Sequence, residues 1–183
     1  MATIERPTAE MKGMYRDVLR DREGRVVWDR GWCRNAIVLD CHRLIAGLLG
    51  GPVASAGIQG LLVGQGLDAW DNAGPPPATP AQKALVDPKP FLLKAGTPAF
   101  KIDFLEGGTV TGNPTNRLQI VATFGPNVPP WPDPVTGHAS GNLREFGLVG
   151  KLGGKDMLIN YVTHPVIVKD PASTLTRTIW LIL

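Results

Sequence analysis

The stretch from Asn142 to Leu183 constrains the fold most, because it carries the longest regular β pattern in the chain. Its last part places Leu175, Arg177, Ile179, Leu181 and Leu183 on one face and Thr176, Thr178, Trp180 and Ile182 on the other. This two-residue period is typical of a half-buried strand. Gly153 and Gly154 supply the positive-φ residues that a chain reversal needs. We therefore predict a C-terminal sheet over residues 142–183, and we expect the chain to end inside that sheet.

Composition narrows the fold class. The chain has 183 residues, 19% charged and 43% hydrophobic, with a net charge of +3, which is an ordinary balance for one globular domain. Its 22 glycines and 17 prolines favour a loop-rich β protein over a helical bundle. We predict a mainly β fold with one packed α-helix (α+β), organised as an antiparallel β-sandwich-like sheet with long proline-rich loops.

The N-terminal part predicts three elements. Residues 1–12 lack periodicity and contain Pro7, which indicates a flexible or partner-bound arm preceding a single β-rich domain over 13–183. Residues 13–30 form a predicted hairpin with Gly24 at its turn. A core helix is predicted over about 35–49, with its stop at Gly50 and Gly51. Its apolar stripe includes Ile37, Cys41, Leu44 and Leu48.

Two segments, 66–90 and 125–141, are too rich in proline to sustain helix or sheet. Loops of this length are functional, bound to a partner or disordered. We predict that they reach order against neighbouring subunits. The candidate interface residues are Trp28, Trp70, Trp131, Pro76 and Pro130. The three tryptophans also suit a carbohydrate-binding face.

The sequence predicts no secretory leader. The start, MATIERPTAEMKG, has no hydrophobic leader region, and no apolar run reaches 18 residues, so we expect no membrane segment. Cys33 and Cys41 are predicted to be reduced thiols rather than a disulfide framework.

Catalytic and cofactor patterns are weak. Cys33, Cys41 and His42 lack a fourth metal ligand at normal spacing, and there is no P-loop, HExxH or nucleophile elbow. The acidic residues Asp68, Asp71, Asp103 and Glu106 have no spacing that favours a glycosidase pair. Arginines crowd the N-terminal quarter, but acidic residues interleave with them, which favours protein contacts over a phosphate track. We predict no enzymatic activity, no cofactor, no metal and no nucleic-acid partner.

Arg144 and Glu145 are consecutive residues of a predicted strand, so their side chains face opposite sides. One of them must point into the core or towards a partner, where a charge requires a mate. The pair is predicted to form a structural ion pair or a hydrogen-bond network that fixes strand register, or one that a neighbouring subunit completes. Two solvated charges on an edge strand are the alternative.

The segment Leu143-Arg144-Glu145-Phe146-Gly147-Leu148 resembles a recurring segment of bacteriophage tail structural proteins. These are the tail-collar fibre proteins and related baseplate or tail-fibre-base proteins, together with the equivalent parts of phage-like contractile injection systems. From about Trp32 to Leu183 the order of elements is also similar. Many such proteins continue into a long fibre shaft, so the resemblance favours a compact tail, baseplate or neck component.

The resemblance implies a non-enzymatic structural subunit that assembles through its loops and arm into a trimer or ring and contacts other tail proteins. Its implied location is the tail of a virion or phage-like particle, assembled in the bacterial cytoplasm. A carbohydrate- or receptor-binding module of the same particle is one alternative, with a glycan or receptor as partner. A head-tail neck or decoration protein is another.

Overall fold

The computed structural model describes residues 11–51 and 54–183, of which strands are the main component. Two helices and eleven strands follow one another along these described residues. In order they are β1 (Lys12–Arg20), β2 (Val26–Ile37), α1 (Leu39–Gly50), β3 (Ser55–Gly64), α2 (Trp70–Ala73), β4 (Phe91–Lys94), β5 (Phe100–Glu106), β6 (Thr109–Thr111), β7 (Arg117–Phe124), β8 (Asn142–Leu152), β9 (Lys155–Leu158), β10 (Asn160–Val168) and β11 (Thr174–Ile182). The predicted mainly β fold with one principal packed helix is confirmed.

The strands form one antiparallel arrangement in the order β4-β3-β8-β10-β2-β1-β11-β7-β5-β6, with β9 paired to β8. Tyr15 on β1 and Phe146 on β8 are three strand steps apart in this order, about 14 Å in a flat sheet. Their ring centroids are nevertheless 5.1 Å apart. The arrangement therefore folds over on itself into two facing layers, as the sandwich prediction requires.

The joint between the layers is short. The layer of β1, β2, β5, β6, β7 and β11 meets the layer of β3, β4, β8, β9 and β10 through β2 and β10. Only Ile37 with Asn160 and Ala36 with Tyr161 are paired there.

The alternation of the final strand is confirmed. Leu175, Arg177, Ile179 and Leu181 are buried between the layers, while the intervening residues are more exposed. β11 lies between β1 and β7, in the interior of its layer. Each aliphatic side chain buried in this way stabilises the fold by about 1.5–3 kcal/mol.

The helix begins later than predicted. Residues 35–37 belong to β2, and α1 starts at Leu39 after Val38. The reason is tertiary, since Asn35 pairs with Gly13 of β1 and Ile37 with Asn160 of β10. The stop is confirmed by Gly51, whose φ of 68° is left-handed.

The predicted stripe of this helix is correct only in part. Cys41 and Leu44 are buried, but Ile37 is a strand residue and Leu48 remains 46% exposed. Leu49 is 84% exposed. The last turn of the helix is only partly covered, since Gly47 lies against Leu152 of β8 and Leu48 lines an open apolar cavity with Ile102 and Leu118.

The boundaries of the N-terminal arm and hairpin also differ from the prediction. β1 begins at Lys12, within the predicted arm, and β2 runs to Ile37 rather than ending at residue 30. The predicted arm otherwise falls on residues 1–10, outside the described residues. The turn at Gly24 is confirmed by its φ of 81°. β11 pairs with β1 along its whole length, which gives this polar hairpin the neighbour that it needs.

Strands β3 to β7 lie between α1 and the second proline-rich loop, and α2 is a single helical turn within the 66–90 segment, which was predicted to hold no helix. The part of the chain that the structure describes holds no helix long and apolar enough to cross a membrane.

Candidate functional site

Arg144 on β8 holds the beginning of the 66–90 loop. Its Nε and Nη2 atoms each donate to the Asp71 carboxylate at 2.7 Å, and Nη1 donates to the Gln65 carbonyl at 2.9 Å. Nη2 also lies 2.9 Å from Asp68 Oδ1. The guanidinium group lowers the pKa of the Asp71 carboxyl through this hydrogen bond. The fork geometry of arginine makes this a bidentate, directional anchor.

Glu145, the next residue, holds the end of the same loop. Its carboxylate is fully buried and accepts hydrogen bonds from the Val86 N–H at 2.9 Å and the Asp87 N–H at 2.6 Å. The Tyr161 hydroxyl donates a third bond at 2.6 Å. Burial and this bond to Glu145 raise the pKa of Tyr161. Three donors therefore balance the buried charge.

Arg144 and Glu145 thus do not pair with each other. Both are buried because β8 is a central strand, between β3 and β10, with both of its faces covered. The 66–90 loop covers the face that carries Glu145, where Leu85 packs with Val149 and Leu158. The alternative of two solvated charges on an edge strand is therefore wrong.

A further carboxylate joins the two proline-rich loops. Asp87 accepts hydrogen bonds from the Gln65 and Lys89 N–H groups, each at 2.9 Å. His138 of the second loop lies 3.0 Å from the same carboxylate through Nε2. The Gln65 side chain in turn donates to the Ser140 carbonyl. The chain's own residues therefore fix part of both loops, without the neighbouring subunits that the sequence prediction invoked.

Two glycines make the close packing of this site feasible. A Cβ on Gly147 would lie 2.6 Å from the Asn160 carbonyl oxygen, so the strand pair beside Glu145 requires glycine here. Gly66 has a φ of 59°, and a Cβ there would lie 2.4 Å from the Trp70 ring. Trp70 therefore covers the backbone where the loop leaves β3.

The predicted interface residues separate into three groups. Trp70 is only 8% exposed and belongs to this chain's own packing, so its assignment to an interface is wrong. Trp28 and Trp131 are partly buried against the core. Pro76 and Pro130 are exposed, and the Pro76 carbonyl accepts a hydrogen bond from the Thr163 hydroxyl at 2.6 Å.

A second buried charge network lies inside the sandwich, and the sequence analysis missed it. Arg177 donates to both oxygens of Asp17, at 2.6 and 2.7 Å, and both residues are fully buried. The guanidinium carbon lies 3.6 Å from the Phe146 ring centroid, and Nη2 lies 3.1 Å from His164 Nε2. Burial lowers the pKa of His164 to about 3, so its imidazole is neutral. Arg177 on an otherwise apolar strand face was the signal that a buried mate exists.

The weaker chemical candidates stay apart. Cys33 and Cys41 are free thiols, and no group of three potential metal ligands occurs among residues 11–51 and 54–183. Asp68 and Asp71 both form ion pairs with Arg144. Asp103 is opposite Gln119 in the β5–β7 ladder, in the other layer.

Arg144 and Glu145 therefore use their polar atoms in hydrogen bonds within the chain rather than presenting a reactive group. Glu145 uses its oxygens on three donors, and Arg144 spans two carboxylates and a carbonyl. Such a network fixes loop positions relative to the sheet. Comparison with protein-family models, with curated proteins and with solved structures found no match for this chain.

Proposed function

We propose that the protein is a non-enzymatic structural subunit of a phage tail or of a phage-like injection apparatus. One observation carries the proposal. The segment that resembles tail structural proteins is β8, and its Arg144 and Glu145 hold the two ends of one long loop against the sheet. In this proposal the segment has a mechanical task, the fixing of a proline-rich loop.

The task suits a subunit that assembles with others. A loop that is ordered before assembly loses less conformational entropy on binding a neighbour. The exposed prolines of these loops can then contact a neighbouring subunit without a further loss of backbone freedom. Because the loop is bonded within the chain, its resistance to protease does not report on assembly, and the oligomeric state has to be measured directly.

The test is localisation on the particle. Antibodies against the protein, followed by immunogold electron microscopy of particles from the producing bacterium, should label one defined position on the tail. Light scattering of the purified protein should give a defined multiple of 19.6 kDa. A protein that is absent from purified particles and monomeric at all concentrations would overturn the proposal.

A carbohydrate-binding role is the second candidate, favoured by one feature of the outer sheet face. Trp32, 39% exposed, and Trp180 lie with ring centroids 4.3 Å apart. Gln119 accepts a hydrogen bond from Trp180 Nε1 at 3.0 Å, and Arg16 is opposite Trp32 in the ladder. Aromatic faces beside planar polar groups suit sugar rings. A glycan array probed with the wild type and with Trp32→Ala tests this role. The role requires that the wild type binds a glycan and that the substitution abolishes this binding.

A further inference from the structure

A groove of about 470 Å³ fills the split between β2 and β10, beside the two residue pairs that join these strands. It has three walls. Two are the strands themselves, and the third is the 66–90 loop, which reaches the groove with Pro75, Pro77 and Ala78. The Thr163 hydroxyl of β10 donates to the Pro76 carbonyl at 2.6 Å and fastens this third wall. Such a volume lies within the range of about 300–1,000 Å³ that is usual for small-molecule pockets.

A β-bulge brings two arginines of β2 to the groove from opposite sides of the strand. Arg30 and Gly31 together lie opposite one residue of β1, and Gly31 has a left-handed φ of 71°. Arg30 turns inwards, where its Nε donates to Cys33 Sγ at 3.3 Å and its guanidinium carbon lies 5.8 Å from the Tyr15 ring centroid. Arg34 follows the inward-facing Cys33 and lies on the outer face. Both arginines line the groove.

The residues that line the groove carry two positive charges and no carboxylate. Three other arginines in this part of the chain form ion pairs with aspartates, namely Arg16 with Asp29, Arg25 with Asp21 and Arg43 with Asp40. Within residues 11–51 and 54–183, Arg30 and Arg34 have no carboxylate partner. A groove with two such cations is electrostatically complementary to an anion.

The other polar side chains of the lining are already engaged or point elsewhere. The Tyr161 hydroxyl donates to the buried Glu145 carboxylate, and the Thr163 hydroxyl donates to the proline-rich loop. The Asn35 amide lies against Gly13 of β1. The two guanidinium groups therefore remain for a ligand, and the prolines and aliphatic side chains of the walls offer it an apolar surface.

We propose that this groove binds a small organic acid, whose carboxylate or phosphate group is held by Arg30 and Arg34 and whose uncharged body packs against the proline wall. The planar fork of arginine matches either oxyanion with two parallel hydrogen bonds. Because Arg30 is already held against Cys33 and Tyr15, it loses little side-chain freedom when the anion binds. The site goes beyond the proposed assembly role and does not depend on it.

Amide NMR spectra of the full-length protein, titrated with inorganic phosphate and separately with succinate, test the site. At least one anion should shift the backbone amide signals of Ala36 and Val162, which line the groove. The dissociation constant should be on the order of 1 mM, as expected for a ligand of few atoms. Succinamide, the uncharged counterpart of succinate, should shift neither signal. A response to phosphate alone identifies a phosphate ligand, and a response to succinate alone identifies a carboxylate.

A matched pair of variants separates the groove from general attraction to a basic protein. Arg34→Gln should weaken anion binding about tenfold, the contribution of one hydrogen bond to a charged group. Arg22→Gln removes the same charge at the exposed hairpin tip and should leave the affinity unchanged. Arg34 is exposed, so amide signals outside the groove should stay in place and show that the variant folds.

Two results would overturn the proposal. One is the absence of amide shifts in the groove with both anions, and the other is an equal loss of affinity in Arg34→Gln and Arg22→Gln. Neither result bears on the immunogold test, so the two proposals fail independently.

Discussion

Glu145→Gln isolates the charge that anchors the 66–90 loop. The substitution keeps the shape of the side chain and changes one carboxylate oxygen into an N–H₂ group. In the native site Oε1 accepts from the Asp87 N–H, whereas Oε2 accepts from the Val86 N–H and the Tyr161 hydroxyl. A glutamine can satisfy the two donors at Oε2, but it then directs its N–H₂ at the Asp87 N–H.

The size of the effect follows from these three bonds. Hydrogen bonds to a charged group contribute about 1.5–3 kcal/mol each, and neutral ones about half as much. Glu145→Gln loses one such bond and weakens two. We expect a loss of about 3 kcal/mol in the free energy that holds the loop to β8, which is about a hundredfold in its opening equilibrium.

Trypsin cleavage after Lys83 is the assay, since this exposed residue lies inside the anchored loop. When opening is fast relative to cleavage, the cleavage rate follows the open population. The cut should produce fragments 1–83 and 84–183 about a hundred times faster in the variant. Urea denaturation should show a parallel fall in the free energy of unfolding.

Glu106→Gln is the matched control, because it makes the same chemical change at an exposed position in the β5–β6 hairpin. It should change neither the cleavage rate nor the unfolding free energy. If Glu145→Gln behaves like this control, the buried carboxylate does not anchor the loop and our account of the segment is wrong.

Three further predictions concern buried titratable side chains, all measured by urea denaturation. Asp17→Leu or Arg177→Met alone should cost about 3–5 kcal/mol by leaving one buried charge unpaired, whereas the double variant should cost less than the sum; additive costs would contradict the pairing. Burial lowers the pKa of His164 from 6.5 to about 3, so between these pH values its imidazole binds a proton only in the unfolded chain. The free energy of unfolding should therefore fall as the pH drops from 6.5 to about 3. His164→Phe should flatten that fall, and an unchanged pH profile would refute the buried neutral imidazole. Burial lowers the pKa of Lys169 from 10.5 to about 8, so between these pH values its amine binds a proton only in the unfolded chain. Lys169 should therefore make the free energy of unfolding rise with pH over this range. A wild-type pH profile that matches the profile of Lys169→Met would rule this out.

The sequence predicted the elements with strong local patterns and missed those set by partners elsewhere in the chain. The alternation in β11 and the glycine reversal before β9 followed directly from residue types. Residues 35–37 have an apolar spacing that also fits a helix, and only their pairing with β1 and β10 makes them a strand. Leu48 matched the helical stripe, but it lines an open apolar cavity and remains 46% exposed.

The candidate site shows the same division. The neighbouring charges Arg144 and Glu145 indicated a structural network, because a strand with both faces covered must pair its charges. Their partners Asp71, Val86 and Asp87 are 58 or more residues away along the chain. No periodicity connects such positions, so the sequence could not name them.

By itself, then, the sequence determined the strand-rich composition, the turns that need glycine and the presence of charges that demand mates, since these depend on local backbone preference and on the cost of burying a charge. The tertiary structure alone decided which mates they find, that the 66–90 loop closes over β8 rather than reaching outwards, and that a split remains between β2 and β10. Those outcomes depend on which distant surfaces meet when the sheet folds over, and local residue order does not encode that.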